Sequence, residues 1–285
     1  MKPFRLVSWN IGEGGQPSYL IKESYIWTPR LTSIANSINF LKADVVGVID
    51  AFGWNKWPKG LFEEKFPEYR LSLYPLGDIE DINYAILVKK DISPEEVSIK
   101  SVHLFRDRNV IEISLYGVNI TVAYLDANDA DKRRGEFSCL LSTIKQDIIF
   151  GDFNTIFFDT NILFSSIPKF FQYWRTFGLW LCSKDVREMF VHPKVLEAQG
   201  WIQMVNTSSF PLPHFWTGFL AKGIKYRTAW LWRNFFFPCP ALQLDHCLWN
   251  TLSKTRRENF QVEIVSSTSI QKASDHCPIV IDYTP

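Results

Sequence analysis

Seven polar side chains in this sequence stand where an apolar run ends: Asn10, Asp50, Asp152, Asn154, Asp245, Asp275 and His276. Tyr124 closes another such run. The plainest case is Asp147-Ile-Ile-Phe-Gly-Asp-Phe-Asn-Thr155, whose three apolar residues read as a buried strand that stops on a glycine, an acid and an amide. Alternate side chains of an extended chain share a side, so Asp152 and Asn154 point one way and Phe153 the other. A carboxylate only accepts hydrogen bonds, whereas an amide donates and accepts, and the pair suits a metal ion or a phosphate. Taken alone, the segment is equally well an Asx-type turn, and Asp50 is equally well a loop or capping acid. Repetition shifts the reading. So many strand-end acceptors without compensating basic neighbours point to strand ends that converge on a cation. Oxygen ligands of this type suit Mg²⁺ or Mn²⁺ better than zinc. His276, beside Asp275, is the natural carrier of a proton at neutral pH.

The elements that must position these residues can be read from periodicity. Phe4 to Ile11 reads as a strand, followed by the glycines Gly12, Gly14 and Gly15 as a turn. From Pro29 the apolar residues Leu31, Ile34, Ile38 and Leu41 fall on one helical face, with the proline near the start where its missing N–H is harmless. Asp44 to Asp50 is then a buried strand. Short strands follow over Tyr69–Tyr74, Asn83–Val88, Val97–Phe105 and Asn109–Tyr116. Tyr116-Gly117 connects tightly into Val118–Leu125, as in an antiparallel hairpin. A helix with Phe137, Leu140, Leu141 and Ile144 on one face leads to the strand before Asp152. Further on, Asp185 to Gln199 reads as helical despite Pro193, and the residues from Gly200 as a short strand. Leu242–Trp249, Phe260–Ser266 and the stretch after Asp275-His276 read as strands. Antiparallel pairs mixed with helical crossovers predict two sheets packed face to face with helices outside.

Composition narrows the choice further. A chain of 285 residues can bury a substantial core. Its net charge of +1 gives no global electrostatic footprint for nucleic acid, although a local basic groove is compatible with it. The five cysteines, Cys139, Cys182, Cys239, Cys247 and Cys277, are odd in number and form no CxxC pair, which disfavours a disulfide framework or a thiolate zinc site. Buried thiols in a reducing, cytoplasmic setting are expected, with no signal-peptide core at the N-terminus and no apolar run long enough for a transmembrane helix. The unusual feature is the aromatic content, 11 Trp and 23 Phe, concentrated after residue 150. The segments 170–181 and 229–237 either bury against the sandwich or form a peripheral surface for lipid, a partner or a base-like substrate.

Ser8-Trp-Asn10, Val48-Ile-Asp50, Gly151-Asp-Phe-Asn154, Leu244-Asp-His246 and Ser274-Asp-His-Cys-Pro278 together resemble the ordered motif blocks of the endonuclease/exonuclease/phosphatase superfamily, the DNase I-like fold. The blocks span residues 8 to 282. The resemblance implies one α/β domain over 1–285, a four-layer α/β/β/α sandwich with an aromatic-rich variable segment, 157–240, before the last strands. It also implies Mg²⁺- or Mn²⁺-dependent hydrolysis of a phosphate ester by in-line attack of water. On this resemblance Asp50, Asn10 and Asp275 belong to the metal site. Asp152 and Asn154 handle the attacking water and the scissile phosphate, Asp245 orients the terminal histidine, and His276 is catalytic. Asn10, Asn154 and Arg106, or its neighbour Arg108, contact phosphate.

Two positions depart from the pattern. Asp50 replaces the usual Glu and is one methylene shorter. Tyr124 stands where many members carry histidine, although the exonuclease III and abasic-site branch has tyrosine there, and His214-Phe-Trp-Thr217 leans the same way. His246 follows Asp245 as His276 follows Asp275, but alternation turns it to the opposite side and gives it a structural role. His103 and His192 have no motif around them, and Asp126 and Asn128 read as turn residues. The function expected is a phosphodiesterase, nuclease-like or acting on a lipid or small-molecule phosphodiester. The alternative from another class is a binding or scaffold protein that kept the sandwich and lost catalysis.

Overall fold

The computed structural model describes residues 1–12, 28–77, 83–127, 129–157, 190–204, 245–265, 267–274 and 276–285. Two six-stranded sheets dominate it. The first contains β1 (Phe4–Asn10), β2 (Val45–Ile49), β3 (Tyr69–Pro75), β4 (Asn83–Lys89), β13 (Phe260–Ile264) and β14 (Ile279–Tyr283), in the order β13-β14-β1-β2-β4-β3. The second contains β5 (Val97–Phe105), β6 (Arg108–Leu115), β7 (Val118–Tyr124), β8 (Ile148–Asp152), β11 (Trp201–Gln203) and β12 (Asp245–Asn250), in the order β11-β12-β8-β7-β6-β5. A two-stranded parallel pair, β9 (Ile156–Phe157) with β10 (Phe190–Val191), stands beside them.

Each sheet holds one parallel pair that needs a helical crossover. Between β1 and β2 it is α1 (Pro29–Leu41). Thr28 caps this helix by accepting from the Leu31 N–H, Pro29 occupies its first turn, and Lys42 ends it in a left-handed conformation with φ 51°. Between β7 and β8 the crossover is α3 (Ala130–Thr143), capped by Asp129, which accepts from the N–H groups of Asp131 and Lys132. Ile144, read from periodicity as helical, is the extended residue that closes α3. The β6–β7 hairpin turns at Tyr116 and Gly117, with φ of 50° and 84°. Two successive left-handed residues are what a tight hairpin with the twist of its strands requires.

The core is layered by alternation along the strands. Phe4 and Leu6 of β1, Val45 and Ile49 of β2, Ile120 and Val122 of β7, Ile148 and Phe150 of β8 and Cys247 of β12 fill the space between the sheets. The intervening residues of the first sheet, among them Val7, Trp9, Val46 and Val48, pack with Leu31, Ile34 and Ile38 of α1 and with Ile270 of α5 (Thr268–Ala273). On the outside of the second sheet Ala123, Ile149 and Leu248 pack with Phe137, Leu140 and Leu141 of α3. The result is the expected order of helix, sheet, sheet, helix. Two short helices, α2 (Leu61–Lys65) and α4 (Lys194–Ala198), complete the described helices longer than one turn.

One expected element is corrected. Within the helix read over Asp185–Gln199, residues 190–191 form strand β10, and helix starts only at Lys194, after Pro193. Proline fits a helix start and not its interior. Residues 185–189, the aromatic segments 170–181 and 229–237, His214, Cys182 and Cys239 lie outside the described residues. Cys139, Cys247 and Cys277 are free thiols. Among the described residues no helix is long and apolar enough to cross a membrane.

Candidate active site

The alternation that fills the space between the sheets also decides what closes one end of it. In β8, Ile148 and Phe150 face inward, so Asp152 follows on the same side two residues on. In β12 the inward residue Cys247 places Asp245 on that side, and the register sets Asp245 directly opposite Asp152. On the other flank β7 pairs Tyr124 with Asp152. The facing sheet contributes Asn10 at the end of β1, whose Nδ2 donates to Asp152 Oδ2 at 2.8 Å. One hydrogen bond therefore ties the two sheets together at the site. Its amide oxygen accepts from the Gly12 N–H at 2.9 Å, which fixes the orientation of the Asn10 side chain.

Asn154 sits just past β8 with φ 48°, a conformation asparagine tolerates. Its backbone N–H donates to Asp152 Oδ1 at 2.9 Å, and its side-chain Nδ2 donates to the Leu125 carbonyl at 2.9 Å. The turn and the site thus coexist: the Asx-type bond is made, and it holds the carboxylate in place. Burial and the neighbouring Asp245 carboxylate push the Asp152 carboxyl up to about 7, against opposing effects from His276, the Asn154 N–H and Asn10.

His276 completes the group. Its Nδ1 lies 2.6 Å from Asp245 Oδ2, and since the carboxylate accepts, Nδ1 carries the proton. The other ring nitrogen, Nε2, stands 4.0 Å from Asp152 Oδ2. The separation is too long for a direct hydrogen bond. The loop carrying His276 is pinned to β1: the Ser274 hydroxyl donates to the Asn10 carbonyl at 2.7 Å and accepts from the His276 N–H at 3.1 Å. Trp9 Nε1 donates to the His276 carbonyl at 2.9 Å. Ser274 and Trp9 lie inside the motif blocks, but only the three-dimensional arrangement shows what they support.

Ligand atoms of Asp152, Asp245 and His276 all lie within 4.8 Å of one another, and this is the cluster among the described residues that could hold a metal ion. Asp50 is not part of it. It follows β2 in a left-handed conformation, φ 60°, at the same end of the sheet as Asn10. Its charge acts on Tyr124, whose phenol is pushed well above its usual range by burial first and then by Asp50 and Asp152. Asp275 lies outside the described residues.

Of the two arginines that the sequence offers, Arg108 is the one brought beside Tyr124. Arg106 is an exposed turn residue with φ 49°, its guanidinium over the Phe105 ring. Arg108, the first residue of β6, lies over the Tyr124 ring instead, with Cζ 5.3 Å from the centroid, and pairs with Glu136 and Asp126. His246 is buried on the outer face: Nε2 donates to the Thr155 carbonyl at 2.6 Å, Nδ1 accepts from Gln203 Nε2 at 3.1 Å, and the ring packs on Phe157. That is a structural role. His192 accepts from the Lys194 N–H at the start of α4, and His103 is exposed.

No protein-family profile matches the sequence, and no curated protein does. Solved structures do match over nearly the whole chain. A 3′ phosphatase, NExo from Neisseria, bound to product DNA hairpin, is 15% identical with a TM-score of 0.58, covering 99% of this chain and 100% of the other. An AP endonuclease from Archaeoglobus fulgidus is 14% identical with a TM-score of 0.59, over 99% and 100%. ANGEL2, a 2′,3′-cyclic phosphatase in complex with adenosine-2′,3′-vanadate, is 14% identical with a TM-score of 0.55, over 99% and 95%. The chain therefore has the DNase I-like α/β sandwich fold of these structures.

Proposed function

We propose that this protein is a divalent-metal-dependent phosphoesterase that cleaves a phosphodiester by in-line attack of water. The observation that carries the reading is the part-buried Asp245–His276 pair, joined at 2.6 Å, with the other ring nitrogen 4.0 Å from Asp152 Oδ2. Structural proteins have little use for two carboxylates in register and a histidine at one sheet end, because burying such a set is costly.

The residues fit a divalent cation. Asp152 and Asp245 are nearly fully buried and adjacent, and among the described residues no lysine or arginine pairs with Asp152. A cation would offset the burial and the Asp245 repulsion that together hold the Asp152 carboxyl at about 7. Asp152 and Asp245 would hold the ion, with Asn10 and Asp50 at the adjoining strand ends, and oxygen donors of this kind suit Mg²⁺ or Mn²⁺. When bound, such an ion supplies Lewis-acid stabilisation of charge on the phosphoryl and leaving oxygens.

The side chains do the rest. Asp245 fixes the His276 tautomer and stabilises the imidazolium. His276 Nε2 then carries a proton toward the phosphoryl group, as a donor in the transition state. Asp152, held by the Asn10 amide and the Asn154 N–H, is the carboxylate placed to take a proton from the attacking water. The protein's net charge of +1 favours a short or terminal phosphate ester over tracking along extended nucleic acid. The ligands named for the neighbours, a product DNA hairpin and adenosine-2′,3′-vanadate, support a nucleotide ester as the first class to try.

The test is hydrolysis of bis-p-nitrophenyl phosphate, p-nitrophenyl phosphate and a short 3′-phosphorylated oligonucleotide in Mg²⁺, Mn²⁺ or EDTA. Turnover with metal and none in EDTA is expected. Turnover unaffected by EDTA, or none on any substrate with either metal, contradicts the reading.

A further inference from the structure

Among the described residues, the most deeply buried acid that the proposed chemistry leaves unused is Glu136. Glu136 lies on the sheet-facing side of α3, and its side chain is 0% exposed. A carboxylate is rarely enclosed in this way unless it is paired. Its Oε1 lies 3.2 Å from Arg108 Nε, and its Oε2 accepts the Asp126 backbone N–H at 2.7 Å. Asp126 in turn places Oδ2 3.2 Å from Arg108 Nη2. The guanidinium is thus held at two of its nitrogens by two carboxylates, and a planar fork fixed at two points has one orientation. In that orientation its Cζ stands over the Tyr124 ring at 5.3 Å. The Tyr124 main chain is held separately, its N–H donating to the Tyr84 hydroxyl at 3.0 Å.

Such an assembly could serve stability or orientation. A buried ion pair is often no more stabilising than apolar residues of the same shape, and its best-attested use is to select one arrangement. Location favours the second explanation here, because the ring it presses on pairs in register with Asp152 and flanks the site.

We propose, resting on the phosphoesterase reading above, that Glu136 is a positioning residue: it fixes Arg108 against Tyr124 and so holds the phenol beside Asp50 and Asp152. Its effect reaches the reaction through Arg108 and Tyr124, without contact with substrate.

A double-mutant cycle tests this with bis-p-nitrophenyl phosphate and Mg²⁺. Glu136→Gln keeps the size, removes the charge and turns one of the two acceptors into a donor. It is expected to lower kcat about tenfold with KM changed less than about twofold. In a Tyr124→Phe background the same change is expected to lower kcat by less than about twofold, since the two residues act as one unit. Equal losses in both backgrounds, or no loss in either, overturn the proposal. Should Glu136→Gln fail to fold, Arg108→Lys keeps the charge and loses the fork, and the same non-additive pattern is expected of it. A second readout needs no turnover: fluorotyrosine placed at position 124 reports the ring environment by its fluorine resonance. The resonance is expected to shift and broaden in the Glu136→Gln or Arg108→Lys variant, and an unchanged resonance overturns the proposal. If the wild type hydrolyses no phosphate ester while the resonance shifts, the phosphoesterase reading fails and the clamp on Tyr124 stands.

Discussion

Burial and a neighbouring carboxylate push the Asp152 carboxyl up against His276 and two hydrogen bonds, and the outcome is measurable. Burial and the Asp245 carboxylate raise its pKa from 3.8 to about 7 in the folded protein. Between those values the folded protein keeps a proton that the unfolded chain has released, so stability falls with rising pH. The contribution is fully present below about pH 4 and is lost as pH rises through about 7. A divalent cation reverses this by binding the ionised form. Thermal denaturation with and without Mg²⁺ is expected to show a larger rise in Tm at pH 8 than at pH 5.5. At about 100 times the Kd, ligand linkage alone stabilises by about 2.7 kcal/mol. Equal shifts at both pH values would contradict the assignment of the ion to these carboxylates. At this scale the sequence was legible wherever strand alternation applies. Asn10, Asp152 and Asp245 each end an inward-facing series, and the structure brings them together. The choice between Arg106 and Arg108 stayed open because the turn at Arg106–Asp107 hides where β6 begins, and Glu136 reads as one more polar residue of a charged helix. The available signal was spacing: Arg133, Glu136, Phe137, Leu140 and Leu141 are all buried on α3, so two charged residues extend its apolar stripe.

Strand β8 is held in place by a contact that only glycine permits. Gly151 has φ 139°, and a Cβ there would lie 2.1 Å from the Ala123 carbonyl of β7. The glycine that the sequence marks as a turn therefore lets the strand leave the sheet while staying in register, one residue before Asp152. Gly151→Ala is expected to destabilise the protein by about 2–4 kcal/mol, combining backbone strain with displacement of β8 from β7. Urea denaturation would measure this, and a cost below about 0.5 kcal/mol would show that the strand end relaxes freely. Elements with a clear period and punctuation were legible in advance, as α1 with Thr28 and Pro29 and the Tyr116-Gly117 hairpin illustrate. The error over Asp185–Gln199 came from letting apolar spacing outweigh Pro193, whose ring places the helix start after it.

Across the whole molecule, two sheets hold the site by meeting face to face, with Asn10 of one bonded to Asp152 of the other. The four-layer order followed from strand and helix patterns, since each sheet has apolar residues on both faces and needs cover on both. Which strand ends would meet did not follow from local pattern, because it depends on register between strands distant in sequence, such as Asp245 opposite Asp152. The aromatic segments and the peripheral contact suggested for them lie outside the described residues. The most direct test of the central claim is kcat for His276→Ala against wild type, measured on bis-p-nitrophenyl phosphate with saturating Mg²⁺ and matched for folded protein. Loss of a positioned proton donor is expected to lower kcat by about 10²- to 10⁴-fold. A variant within about twofold of wild type would remove His276, and with it the Asp245–His276 pair, from the chemistry.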